Sequence, residues 1–311
     1  MPLPPALAGR LRLPAIAAPM FLASGPELVV ETCCAGVLGS FPALNARSSA
    51  ELAEWLAQIG ARLAAAPHPA PFAVNLIVHR SNPRLEADLN VCVAARVPLV
   101  ITSLGAVPEL VSRVQGYGGL VFHDVTTRRH AEKAAAAGVD GLIAVAAGAG
   151  GHAGTLSPFA LLDELRQVFD GTLVLAGAIN TGAQIAAARL MGADLAYLGT
   201  RFLATCESRA AEGHKRMIVE SRAADILYTP AISGIPANFL RPSVIAGGLD
   251  PAALPAAAKL DLEGEAKAWR DFWSAGQGVG GIDDLPPAAE LCARLAREYE
   301  AALGPAVALG I

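Results

Sequence analysis

Eight short apolar runs mark the first two thirds of the chain: AIAAPM (15–20), AGVLGSF (35–41), PFAVNLIV (71–78), PLVITSL (98–104), GLVFHDV (119–125), DGLIAVA (140–146), TLVLAGA (172–178) and DLAYLGT (194–200). Each run is continuously apolar instead of alternating, the pattern of parallel strands covered on both faces. Between most of them lie stretches with helical spacing, such as SSAELAEWLAQIGARLAAA, TTRRHAEKAAAAG and GAQIAAARLMG. Gly138 and Gly192 end two of these, where a left-handed glycine suits the turn back to a sheet.

Eight strands with intervening helices predict an α/β fold of the (β/α)8 TIM-barrel type, whose chemistry sits at the carboxyl ends of the strands. A doubly wound open sheet is the alternative, because strand order is not readable from one sequence; the count of eight favours the barrel. After Arg201 the rhythm stops. Residues 206–284 read as an added, mainly helical subdomain on the substrate side, with turn-rich pieces YTPAISGIPANFLRP and WSAGQGVGGIDD. The barrel then comprises residues 1–205 plus 285–311, with PPAAELCARLAREYEAALG as the returning helix.

Composition narrows the function classes. Of 311 residues, 53% are hydrophobic and 17% charged, so the chain is core-rich and globular. No uninterrupted apolar run is long enough to span a membrane, and MPLPPALAGRLRLPAIAAPM lacks the order of a signal peptide. The net charge of −4, without a lysine–arginine stripe, argues against nucleic acid as the partner. Five scattered cysteines without CxxC spacing predict reduced thiols in a cytoplasmic protein, with Cys33 and Cys34 as small buried hydrophobes. No His/Cys/Asp/Glu set has metal-ligand spacing, so no metal is expected.

The informative residues fall at strand ends. Met20 closes AAPM after Ala18 and Pro19, Asn75 puts an amide inside an apolar strand, and His123–Asp124 ends the fifth run. AGAINTG and LGTRF follow the seventh and eighth runs. Their glycines, with the Thr200 hydroxyl, fit a phosphate held by backbone N–H groups at helix starts, the usual barrel location for one. The rival reading is that these are only tight turns. Acids and lysines are scarce at the strand ends, so an apolar floor suits a flavin such as FMN better than a phosphosugar. His152 stands in a loop otherwise reduced to backbone, VAAGAGGHAGTLSPF, with Asp140 and Asp163 as the nearest acids in sequence. His68, His79, His130 and His214 read as solvated or structural, and Arg201 as support for the phosphate or for a carboxylate across the barrel.

AAPM (17–20), VNL (74–76), GAGGHAG (148–154), AGAINTG (176–182), LGTRFLATCES (198–208), GIPANFLRP (234–242) and WSAGQGVGGI (273–282) together resemble the nitronate monooxygenase, or 2-nitropropane dioxygenase, family, which includes flavin-dependent enoyl reductases. The resemblance implies noncovalent FMN, with Ala18, Pro19, Met20 and Asn75 against the ring and His123 and Asp124 near the cofactor. It places Gly150 and Gly151 close to the ring and Gly177, Gly199 and Thr200 on the phosphate. It makes His152 the catalytic base, and Gln277 then reaches the substrate side. Two positions depart from the family pattern: Asp124 stands where some relatives have lysine, and Ala147–Gly148 where many have glutamate or glutamine. The implied reaction is oxidation of alkyl nitronates or nitroalkanes by dioxygen to a carbonyl compound and nitrite. Two alternatives stay open: an NAD(P)H-dependent quinone or enoyl-thioester reductase, and a non-catalytic FMN- or phosphometabolite-binding protein. Whether the chain forms a homodimer also stays open.

Overall fold

A computed structural model describes residues 3–254 and 262–308, with the backbone alone described at 262–266 and 305–308. In chain order the elements are β1 (Ala15–Ala17), α1 (Pro26–Cys34), β2 (Leu38–Pro42), α2 (Ser49–Ala64), β3 (Phe72–Ile77), α3 (Leu85–Ala94), β4 (Leu99–Ser103), α4 (Pro108–Gln115), β5 (Leu120–Val125), α5 (Arg128–Ala136), β6 (Gly141–Val145) and β7 (Gly151–His152). There follow α6 (Pro158–Arg166), β8 (Thr172–Ala176), α7 (Gly182–Leu190), β9 (Leu195–Leu198), α8 (Thr200–Leu203), α9 (Glu212–Glu220), β10 (Ile226–Thr229), β11 (Ala237–Leu240), α10 (Arg241–Ala246), α11 (Leu262–Asp271) and α12 (Ala288–Ala308).

Eight of these strands, β1–β2–β3–β4–β5–β6–β8–β9, pair in parallel and close through β1 with β9 into a barrel. All eight apolar runs therefore form strands, seven of them trimmed at their ends and the second shifted to start at Leu38 and end one residue past the run, at Pro42. Two side-chain layers explain why the runs looked continuous. Leu38, Ile101, Phe122, Ile143 and Val174 fill the barrel interior, while Val74, Val100, Val121 and Leu142 pack outward under the helices. Local signals set the helix starts: Ser48 and Thr127 accept the N–H groups of Glu51 and His130, and Thr181 forms a capping box with Gln184. Gly138 and Gly192 adopt φ of 83° and 98°, as the C-terminal stops required.

Three expectations are corrected. Cys33 is buried but Cys34 is exposed, since consecutive residues on α1 point about 100° apart and only one can face the core. His152 does not lie in a loop: it forms β7, which joins β10 and β11 in a three-stranded antiparallel sheet. The piece YTPAISGIPANFLRP is likewise not all turn. The apolar stretches ILYT and ANFL pair as a hairpin around its proline- and glycine-rich centre. Residues 255–261 of the added segment lie outside the described residues. Among the described residues no helix is long and apolar enough to cross a membrane.

Candidate active site

A cavity of about 1560 Å³ opens at the carboxyl ends of the barrel strands, between them and the added segment. Its floor is the last inward-facing layer of the barrel. Side chains two residues apart on a strand share a face, so Asn75 follows Ala73, Ser103 follows Ile101, Asp124 follows Phe122 and Tyr197 follows Leu195. These polar residues stand on top of the apolar interior and line the cavity.

They are joined by hydrogen bonds. The Asn75 amide nitrogen donates to the Ile101 carbonyl at 3.2 Å and to Ser103 Oγ at 2.8 Å. Ser103 Oγ in turn donates to Asp124 Oδ2 at 2.5 Å. The other carboxyl oxygen, Asp124 Oδ1, is buried and has no hydrogen-bond partner among the described residues. Burial pushes the Asp124 carboxyl up to about 6, opposed by Ser103 and by His152. Tyr197, in the field of Asp124, is raised well above its ordinary value by burial. His123 shares the outward face of Val121 and Val125, and its Nδ1 lies 2.8 Å from Thr102 Oγ1. Burial lowers His123 to about 4, so it is neutral.

One wall is backbone. Gly148, Gly150, Gly151, Gly177, Gly199 and Thr200 line it, with Gly276 of the added segment. Gly177 turns the chain at φ 137° and Ala178 follows at φ 54°, an arrangement that favours glycine at the first position. A Cβ on Gly150 would lie 2.9 Å from the Gly276 nitrogen, and one on Gly276 only 2.6 Å from the Gly148 carbonyl. Thr200 Oγ1 accepts from Gly276 N at 2.9 Å, Gln277 N donates to Gly148 O at 2.9 Å, and Asn238 Nδ2 donates to Ala149 O at 2.7 Å. Barrel and added segment thus build this wall together.

The opposite features are aromatic. His152 is fixed by pairing of β7 with β11, opposite Ala237, and the Trp269 ring meets it edge-on at 5.4 Å. Trp269 stacks on Phe239 at 5.0 Å. His214 stacks on Trp273 at 5.2 Å, its Nε2 2.9 Å from the Ser274 carbonyl, and burial lowers it to about 4. Neutral His214 therefore spends its Nε2–H on that carbonyl and serves as cavity wall. His130 also reaches the cavity, held by Thr126.

The structure thus brings together around one cavity Ala18, Pro19, Met20, Asn75, His123, Asp124, Gly150, Gly151, His152, Gly177, Gly199 and Thr200. Gln277 stands apart: its side chain packs on Gly148 behind the wall. Arg201 is turned away too, buried against Asp284 at 3.0 Å, so it supports a carboxylate. The start of α7 is closed to an anion, because Asn180 and Thr181 donate to Gln184 and Gly182 to Glu298. Sequence reasoning missed Ser103 and Tyr197, which counting in twos from the buried interior residues would have found. Trp273 and Asn238 lie in the quoted pieces WSAGQGVGGI and GIPANFLRP but were not singled out there, and Trp269 carried no local signal.

The site fits a flavin. A broad floor, a side-chain-free wall for close backbone approach, flanking indoles and an orphaned carboxyl oxygen suit a flat, polar-edged ring. Among the described residues no cluster could hold a metal ion. Comparison with known proteins agrees. The family profile described as nitronate monooxygenase matches residues 8–298. The nitronate monooxygenase of Paraburkholderia phytofirmans is 30% identical, covering 92% of each chain. The nitroalkane oxidase of Streptomyces ansochromogenes superposes with a TM-score of 0.80 at 29% identity, covering 96% of this chain and 99% of that one. A dehydrogenase of Mycobacterium tuberculosis named for an octahydroindene carboxyl-CoA substrate is 28% identical over 75% of this chain and 64% of its own. Barrel, cavity and relatives define a flavin-dependent oxidoreductase. The chain belongs to the nitronate monooxygenase family.

Proposed function

We propose that this protein binds FMN and oxidises alkyl nitronates, and the nitroalkanes they derive from, to a carbonyl compound and nitrite with dioxygen as oxidant. The observation that carries the reading is His152, held by the β7–β11 pairing at the edge of a cavity whose other wall is bare backbone. In this reading the barrel, residues 1–205 with 285–311, carries the cofactor, and residues 206–284 close the substrate side. Gly177, Gly199 and Thr200 hold the phosphate, and Met20 and Asn75 meet the ring. Bound FMN supplies the electron acceptor and the route to dioxygen. The His152 imidazole takes the Cα proton of a neutral nitroalkane, and as imidazolium it holds the resulting nitronate by charge. Trp269, packed edge-on against it, restricts its swing and keeps water off that side.

The test separates proton removal from oxidation. His152→Asn should slow turnover of a nitroalkane by about 10²–10⁴-fold, the usual worth of a positioned base. It should slow a preformed nitronate far less. Undiminished turnover of both substrates would remove His152 from the chemistry.

A second reading rests on size and charge. The cavity exceeds the roughly 300–1,000 Å³ of an ordinary ligand pocket, and among the described residues its charged lining comprises Arg84, Lys133, Arg209, Arg270 and a single carboxyl, Asp124. On a chain of net charge −4 that bias favours a second, large anionic ligand, such as a coenzyme A thioester or a nicotinamide dinucleotide. Loss of flavin absorbance on anaerobic mixing with NADH, and none with a nitronate, would move the assignment to the reductase.

A further inference from the structure

Asp124 presents a problem of hydrogen-bond direction that the structure itself resolves. An amide nitrogen can only donate, and Asn75 Nδ2 is oriented by a second bond to the Ile101 carbonyl. Ser103 Oγ therefore accepts from Asn75 and must spend its single proton elsewhere. The only acceptor its hydroxyl reaches among the described residues is Asp124 Oδ2. Asp124 Oδ2 is thus occupied as an acceptor, and any proton the carboxyl carries belongs on Oδ1. Oδ1 is the oxygen that is buried and lacks a partner among the described residues. It stands in the top layer of the barrel interior, on the floor of the cavity.

We propose that Asp124 works as a neutral carboxylic acid, donating a hydrogen bond from Oδ1 to an acceptor atom of the flavin ring bound over it. The proposal rests on the flavin reading of the site. Three observations support the neutral form over the anion. A buried carboxylate ordinarily takes several donors or a cation, whereas among the described residues this one has a single serine hydroxyl. Burial already favours its protonated state, against the opposing influence of His152. A carboxylate below a ring that is to receive electrons would also repel the arriving charge, where an O–H donor would stabilise it.

The titratable groups around Asp124 are His152 on β7, Tyr197 on β9 and, across its own strand, His123 with His130 beyond. The flavin phosphate also titrates near pH 6. Asp124→Asn retains all of these and reproduces the neutral acid, its carbonyl accepting from Ser103 and its amide nitrogen replacing Oδ1. The difference between the wild-type and Asn proteins therefore isolates Asp124.

Flavin affinity of the holoenzyme should be measured from fluorescence released on dilution, between pH 5 and pH 8. Relative to Asp124→Asn, the wild-type dissociation constant should rise with pH, approaching about tenfold per unit once Asp124 ionises. Asp124→Asn should match the wild type at pH 5. Asp124→Leu, of similar size but without a donor, should bind more weakly and show no Asp124-dependent rise. Wild-type affinity tracking the Asn variant at every pH would overturn the assignment. So would an Asn variant as weak as the Leu variant, or a wild type that tightens with pH where the Asn variant does not, because then the anion is the binding form. Wild-type protein that carries no flavin and takes none up would instead overturn the flavin reading beneath it.

Discussion

Asp284→Ala tests what holds the loop after β9. Arg201, next to Thr200 of the glycine wall, is buried with its Nη1 3.0 Å from Asp284 Oδ1. Its Nη2 donates to the carbonyls of Ala204 at 3.0 Å and Asp284 at 2.9 Å, and its Nε is buried without a partner among the described residues. Burial lowers the Arg201 pKa and the Asp284 charge opposes that, so Asp284 is the counter-ion that keeps a guanidinium tolerable there. The same carboxylate takes Arg294 of α12 with both nitrogens, at 2.8 and 3.2 Å. Removing one partner of a buried pair costs about 3–5 kcal/mol, mostly because the other charge is left behind. The Asp284 side chain is 39% exposed, so water reaches the gap and the lower end, about 3 kcal/mol, applies.

The ordering of variants is sharper than any single value. Asp284→Asn keeps an acceptor but loses the charge and should cost about 1.5–3 kcal/mol. Arg201→Met removes the buried charge itself and leaves Asp284 with Arg294, so it should be the mildest, below about 1.5 kcal/mol. Urea unfolding followed by circular dichroism measures all three. For a chain of this size about 2 °C of melting temperature accompanies each kcal/mol, giving a loss of about 6 °C in Asp284→Ala. The Asp284 pKa is depressed, chiefly by its bonds to Arg294, below the ordinary 3.8. Its contribution is therefore present above that value and lost as pH falls through the folded-state pKa. The gap between Asp284→Ala and wild type should close in acid. If Arg201→Met destabilised as much as Asp284→Ala, the buried arginine would be a net attraction and not a charge in need of neutralising, and the reasoning would fail.

Asp124→Asn should stabilise the flavin-free protein at high pH, because the folded-state pKa is raised from 3.8 to about 6. The neutral form's advantage is complete below 3.8 and lost as pH rises through 6, a penalty of about 3 kcal/mol at about 1.36 kcal/mol per unit. Urea midpoints that coincide at pH 8 would contradict it. Gly276→Ala should cost about 1–3 kcal/mol through overpacking against the Gly148 carbonyl at 2.6 Å and weaken flavin retention. Gly281→Ala, with nothing within 4 Å, should leave both unchanged, and equal losses in the two would remove the steric argument.

The barrel was legible because parallel strands covered on both faces leave unbroken apolar runs. That same continuity hid which residues point inward, and with them the floor. Asn75 and Asp124 stand out as polar residues in apolar runs, but their link through Ser103 exists only once β3, β4 and β5 lie side by side. The β7–β10–β11 sheet was illegible for another reason. A two-residue strand such as Gly151–His152 has no periodicity of its own, and its partner Ala237 is far along the chain. The helix α1 is hard to read in the sequence because nine residues with six buried leave no clear polar face.

The position of the glycines then takes on a different meaning from the one their spacing suggested. Gly182 looked like part of a phosphate loop, yet its N–H goes to Glu298 and its missing side chain admits α12, whose Leu295 carbonyl would clash with a Cβ. Gly150 and Gly276 look like turn residues, yet each makes room for the other across the seam between barrel and added segment. The glycine wall of the cavity is therefore a contact between two parts of the chain, sealed by Thr200 and Asn238. Loss of that contact would open the cavity on the side where, in the proposed function, bare backbone meets the flavin. Flavin retention should consequently respond to substitutions at Asn238 and Gly276 as sharply as to those in the barrel loops.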